Sequence, residues 1–331
     1  MIRQLYVCLF LAIFAGHAAA QDPWVKYKGG DGPGKGKKVV LVSGDEEYRS
    51  EEMLPQLAKI LSKRHGFDTT VLFAIDKDGT INPGVTTNIP GLEALKDADL
   101  LILFTRFRNL PDDQMKYLSE YIESGKPIIG LRTATHAFLG IKSNEYKKYN
   151  SFNNDKDYKG GFGKQVLGET WVAHHGGHGS EATRGIIAKG AENHPILKGI
   201  KSGDIFGPTD VYTASPPKDA TILVLGEVVK GMKFDDPPVQ GKKNDPMMPI
   251  AWARTLKTNG KDARIFTSTL ANGQDFNYEG TRRLMVNAAY WALGLENLIP
   301  ERSNVDIVGE YTPLPFRGNG HKKGVRPADL Q

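Results

Sequence analysis

The chain has 331 residues, 40% of them hydrophobic and 24% charged, with a single cysteine, Cys8, and a formal net charge of +5. That length buries a full core without covalent staples, and one cysteine excludes an internal disulfide. Lysines stand singly or in isolated pairs such as Lys37-Lys38, Lys147-Lys148 and Lys242-Lys243, so no clustered basic face points to nucleic acid.

In chain order, Arg3 precedes an apolar run from Leu5 to Gly16 and the small residues Ala18-Ala19-Ala20. This is the pattern of a secretory signal peptide over residues 1–20, and it predicts a periplasmic or extracellular protein. The run is short for a membrane span, and no later stretch is apolar enough for one, so stable membrane insertion is not expected. Cleavage after Ala20 would remove Cys8. The mature chain then has no thiolate nucleophile and no sulfur ligand for a metal.

Residues 21–37 read as a linker. Gly29 to Lys35 mimics the start of a phosphate-binding loop, but the segment precedes the first strand and continues Gly36-Lys37, which breaks the motif. Residues 38–300 then alternate buried-strand runs with amphipathic helices. Strands are predicted at Lys38–Val42, Thr69–Phe73, Leu100–Phe104 and Pro127–Leu131, and helices at Glu51–Arg64 and after Pro111. Apolar residues at helical spacing, Leu54, Leu57, Ala58 and Leu61 in the first helix, carry that reading. Asp76-Lys77-Asp78-Gly79 begins like a calcium loop but lacks the later ligands, so it reads as a turn. Residues 141–168, rich in Asn, Lys, Tyr and Gly, read as an insertion or lid. Short strands follow at Thr170–Ala173, Arg184–Ala188, Asp210–Ala214, Thr221–Val229, Pro249–Arg254 and Arg264–Thr269, then a helix at Glu279–Leu293 and an irregular tail over 301–331. The pattern predicts an α/β fold with a doubly wound, mainly parallel sheet. Ligands of such sheets bind at the carboxyl ends of the strands, where the loops from Ser43, Thr105 and Arg132 are expected to converge.

Four segments carry a family resemblance: Val39-Val40-Leu41-Val42-Ser43-Gly44-Asp45, Ala98–Leu103, Gly125–Arg132 and Arg282–Gly294. In order and spacing they are similar to the ThuA-like (trehalose-utilisation) branch of the class I glutamine amidotransferase-like proteins. The resemblance implies a flavodoxin-like sheet and a link to carbohydrate use. It also puts Arg132 near the position of the amidotransferase cysteine, which excludes glutamine hydrolysis by that route. Family histidines expected after the first and last strands are replaced here by Glu46-Glu47-Tyr48-Arg49 and Leu270-Ala271-Asn272-Gly273.

The densest chemical signal is His174-His175-Gly176-Gly177-His178. Neutral imidazoles are good ligands for a divalent metal such as zinc. In an extended segment His174 and His175 face opposite sides, so one of them joins His178. The pair expected is His175 and His178, completed by His136, Asp210 or Glu181; a metal-free loop that contacts substrate stays open beside it. After the fourth strand, Arg132 offers a guanidinium fork to orient a substrate and His136 an acid or base near neutral pH. The alternative for Arg132 is a buried ion pair with a carboxylate such as Asp45. Asp45 and Glu46 after the first strand, Arg106 and Arg108 after the third, and Asp210 and Tyr212 farther on are expected to bind a small-molecule or oligosaccharide ligand. Two functions follow: a carbohydrate-processing enzyme with acid-base, metal-assisted chemistry, or a non-catalytic sugar-binding module.

Overall fold

The computed structural model describes residues 22–331; the predicted signal peptide lies outside the described residues. Among the described residues ten strands form one sheet. The chain runs through β1 (Trp24–Tyr27), β2 (Lys38–Gly44), α1 (Ser50–His65), β3 (Asp68–Phe73), β4 (Leu100–Thr105), α2 (Asp112–Glu123) and β5 (Ile128–Leu131). It continues through β6 (Ala182–Ile187), β7 (Ile205–Gly207), β8 (Thr221–Val229), β9 (Met248–Thr258), β10 (Lys261–Ser268) and α3 (Glu279–Ala292). Their order across the sheet is β1-β3-β2-β4-β5-β10-β9-β8-β6-β7.

The expected parallel sheet is half of what forms. Pairings β3–β2, β2–β4, β4–β5 and β5–β10 are parallel. Those of β1 with β3 and of the run β10-β9-β8-β6-β7 are antiparallel. The reason lies in the connections: β9 and β10 are joined by Asn259-Gly260, a tight turn with both residues at positive φ, which returns the chain antiparallel. Parallel neighbours need a crossover instead. Alternation along the parallel strands divides the core. Val39, Leu41 and Ile102 pack with α1 and α3 on one face, while Val40, Val42, Leu101 and Leu103 pack with Met115, Leu118 and Tyr121 of α2 on the other. Helices therefore cover both faces of the parallel half.

Two further expectations are corrected. The segment 21–37 is not only a linker, because Trp24–Tyr27 pairs with β3 as an edge strand. The strands expected at 170–173 and 210–214 shrink to one isolated bridge, His174 to Tyr212; Pro208, Pro216 and Gly176-Gly177 bound them too closely for a ladder to extend. The 141–168 segment folds into short turns whose Tyr149, Phe162 and Leu167 are buried in the α2-side core. The Leu167 carbonyl accepts the indole N–H of the fully buried Trp252 at 2.8 Å. The tail is irregular but tied down: Val308 exchanges two hydrogen bonds with Gln56 of α1, and the Tyr311 hydroxyl donates to the Gly273 carbonyl at 2.7 Å. Among the described residues no helix is long and apolar enough to cross a membrane.

Candidate functional site

The loops after β2, β4 and β5 converge as the strand order requires. The Asp45 carboxylate turns back on its own loop, accepting the N–H of Glu47 at 2.7 Å and of Tyr48 at 2.5 Å, and it also accepts the Thr133 hydroxyl from the β5 turn. Glu46 binds the guanidiniums of Arg106 and Arg108. Arg108 also donates to the carbonyls of Pro83 and Val85 and is fully buried. Asp45 and Arg108 thus brace the loops rather than face a ligand, which corrects their expected substrate-binding role.

Arg132 opens the turn after β5 with φ at 44°, a left-handed conformation that side chains rarely adopt. Its guanidinium does not reach a crevice. It is fully buried between Tyr212 and Tyr48, 3.8 and 4.5 Å from their ring centroids. It donates to the Asp210 and Thr269 carbonyls at 2.7 and 2.8 Å, the Tyr48 hydroxyl at 3.1 Å and the Asp210 carboxylate at 2.9 Å. The expected substrate-orienting arginine is instead the buried counter-ion of Asp210, since the positive φ turns the side chain inward. The carboxylate it pairs with is Asp210, not Asp45.

Asp210 is the hub. Its Oδ2 lies 2.7 Å from His174 Nδ1 and its Oδ1 3.2 Å from His178 Nδ1. His178 Nε2 in turn stands 3.1 Å from Glu47 Oε1. Single ligand atoms of His174, His178 and Asp210 all lie within 4.8 Å of one another. Gly176 permits this approach, because a Cβ there would stand 3.1 Å from Val211 N and 3.2 Å from Asp210 Cβ. The expected partner of His178 was His175, but His175 Nε2 contacts the Lys243 carbonyl at 2.8 Å on the other side of the segment. His174 takes its place: backbone pairing with Tyr212 aims it at Asp210.

The cleft beside this hub has a volume of about 170 Å³ and is lined by Glu47, Tyr48, Arg106, Phe107, His136, Trp171, His174 and Tyr212. Over residues 38–292 the sequence matches the family model of ThuA, trehalose utilisation. The chain belongs to the ThuA family. Two solved structures similar to it are thua-like proteins, one from Bacteroides uniformis ATCC 8492 and one from Parabacteroides merdae ATCC 43184. The first is 16% identical, with a TM-score of 0.49 over 80% of this chain and 95% of that one. The second is 16% identical, with a TM-score of 0.46 over 86% and 95%. No curated protein matches the sequence.

The electrostatics of this ThuA-family cleft separate its groups. Burial raises the Asp210 carboxyl, but Arg132 and the two histidines outweigh it and hold Asp210 below the ordinary range. Burial pushes Glu47 upward against the opposing pull of Arg106. Burial, with Arg106 and Arg132 nearby, holds His136 well below the ordinary imidazole range. His136 therefore lines the cleft as a neutral ring, with Nδ1 3.1 Å from the Thr135 hydroxyl, which suits the base half of its expected acid-or-base role and not the acid half. Sequence reading favoured His175 over His174 as the partner of His178, whereas His174 is the one placed against Asp210. It also missed Trp171 and Phe316, whose ring lies 5.3 Å from that of His178.

Proposed function

We propose that this ThuA-family chain is an exported enzyme of carbohydrate metabolism: a hydrolase, lyase or isomerase that moves a proton on a sugar or glycoside held beside His174. It is not a glutamine amidotransferase. One observation carries the reading: the buried Asp210, charged by Arg132, holds Nδ1 of His174 at 2.7 Å. A carboxylate behind one ring nitrogen fixes the tautomer and leaves Nε2 as the acceptor. His174 is the base, Asp210 and Arg132 position it, and Glu47 with its raised pKa is the complementary acid. The surroundings drive two neighbouring carboxyls apart, Glu47 up and Asp210 down, and such a separation is what acid-base chemistry requires. The five parallel strands run second, first, third, fourth, fifth across the sheet, and this order supports the flavodoxin-like reading, with its ligand site at the strand ends.

The same hub supports a metal-assisted variant. Two imidazoles and a carboxylate suit a divalent cation such as zinc, and His174, His178 and Asp210 would hold it. Such a cation would polarise a sugar oxygen. Elemental analysis of the purified protein and of a His174→Ala/His178→Ala variant tests this: near-stoichiometric metal lost in the variant supports it, and none in either after incubation with zinc removes it. For the enzyme reading, turnover is screened on glycosides and oxidised sugars. His174→Gln is expected to lower the rate at least about 100-fold, the scale of general acid-base catalysis. Sugar binding without turnover in the wild type would leave the alternative, a carbohydrate-binding module.

A further inference from the structure

An aromatic run leads out of the cleft, and proton transfer at His174 makes no use of it. From His174 the ring centroids step 5.6 Å to Trp171, 5.8 Å on to His136, 4.9 Å to Phe107 and 6.4 Å to Phe152. Phe152 lies in the 141–168 segment and is 47% exposed. Phe107 and Phe152 both have positive φ, 51° and 64°, where bulky residues are outliers that the surrounding structure must enforce. The two loops that meet at the cleft mouth therefore each hold a phenylalanine in a disfavoured backbone state beside its neighbour.

Beyond Phe152 a shallow groove of about 550 Å³ continues, with Leu139, Lys142, Lys147, Asn154 and Asp155 along it. The centre of a protein-binding patch is depleted in such charged groups. An exposed aromatic face flanked by ammonium, amide and carboxylate groups instead suits a pyranose, which offers an apolar C–H face and a rim of hydroxyls.

Resting on the carbohydrate reading above, we propose that Phe152 and this groove form a second sugar-ring subsite. The substrate is then a glycoside of two or more units, with one ring beside His174 and Trp171 and the next on Phe152.

The test is binding of glucose, trehalose and maltotriose to the full chain, measured by calorimetry. Three proteins are compared: wild type, Phe152→Asn and Leu298→Ser. Asparagine tolerates positive φ, so Phe152→Asn removes the ring without straining the turn. Leu298 is an equally exposed apolar residue outside the groove, 50% exposed. The expected result is that Phe152→Asn weakens trehalose and maltotriose about tenfold and leaves glucose unchanged, while Leu298→Ser alters none of the three. Unchanged trehalose and maltotriose affinity in Phe152→Asn, or glucose weakened equally, overturns the subsite. Wild type binding glucose as tightly as the longer sugars overturns the subsite and leaves the carbohydrate reading standing; wild type binding none of them overturns both.

Discussion

A buried arginine at the elbow of β5 shows how one side chain sets the chemistry around it. Arg132 and Asp210 are both withdrawn from solvent, so each is tolerable only because the other is present. Arg132→Met would leave the buried Asp210 without its permanent counter-ion, and is expected to cost about 3–5 kcal/mol in denaturant unfolding. Arg132→Lys is expected to recover little, because an ammonium cannot span the two carbonyls, the hydroxyl and the carboxylate that the planar fork reaches. A second buried charge behaves in the opposite sense. Glu51, in the first turn of α1, is buried with neither carboxylate oxygen hydrogen-bonded, and Arg49 Nη1 stands 3.5 Å away. Burial pushes its pKa from 4.5 up to about 8. Between those values the folded chain holds a proton that the unfolded chain has released, so folding stability falls as pH rises through that window. Glu51→Gln is expected to raise the unfolding temperature by several degrees at pH 8 and to change it little at pH 4.5. An equal gain at both pH values would remove the titration as its cause.

At the level of elements, the tail after α3 completes the site wall. Phe316 stacks on Tyr48 with ring centroids 5.4 Å apart, and the main-chain N–H groups of Arg317 and Asn319 donate to the carbonyls of Glu47 and Glu46. Arg49, buried at the start of α1, donates to the Pro315 and Arg317 carbonyls. Phe316→Ala is expected to cost about 1–2 kcal/mol, below the scale of a fully buried phenylalanine, and to loosen the His178 ring, which side-chain NMR relaxation would detect. None of this was legible in residues 301–331, because the tail has no periodicity and its partners lie some 260 positions away. Strands β2 to β5 were legible because burial on both faces leaves near-continuous apolar runs. β1 was not, since four alternating residues before a glycine-rich stretch look like linker. In the candidate site, Asp210 and His178 were found by residue type. The period of an extended segment put His174 and His175 on opposite sides, yet only the bridge to Tyr212 decides which side meets Asp210. Glu46 and Glu47 are consecutive acids, and Arg106 and Arg108 claim the first of them.

At the scale of the molecule, the two halves of the sheet share one core. On the α1 and α3 side, Val39, Leu41 and Ile129 of the parallel strands belong to the same buried cluster as Val224, Val228, Ile250 and Phe266 of β8, β9 and β10. α3 packs against both β5 and β10. A core that crosses the change from parallel to antiparallel pairing leaves no seam at which one half could unfold while the other stays dry, because separation would expose α3 and the inner face of both halves together. Two tryptophans report on this from opposite places: Trp24 on edge strand β1 and Trp252 within β9. Variants that keep only one of these tryptophans, the others replaced by phenylalanine, are expected to unfold in urea in a single transition. The change in midpoint caused by a further Leu41→Ala substitution, in the parallel half, is expected to be the same in both backgrounds. A shift seen by Trp24 alone would mean that the parallel half unfolds independently, and that the hub of Asp210, His174 and His178 is not held rigidly against the loops after β2 and β5.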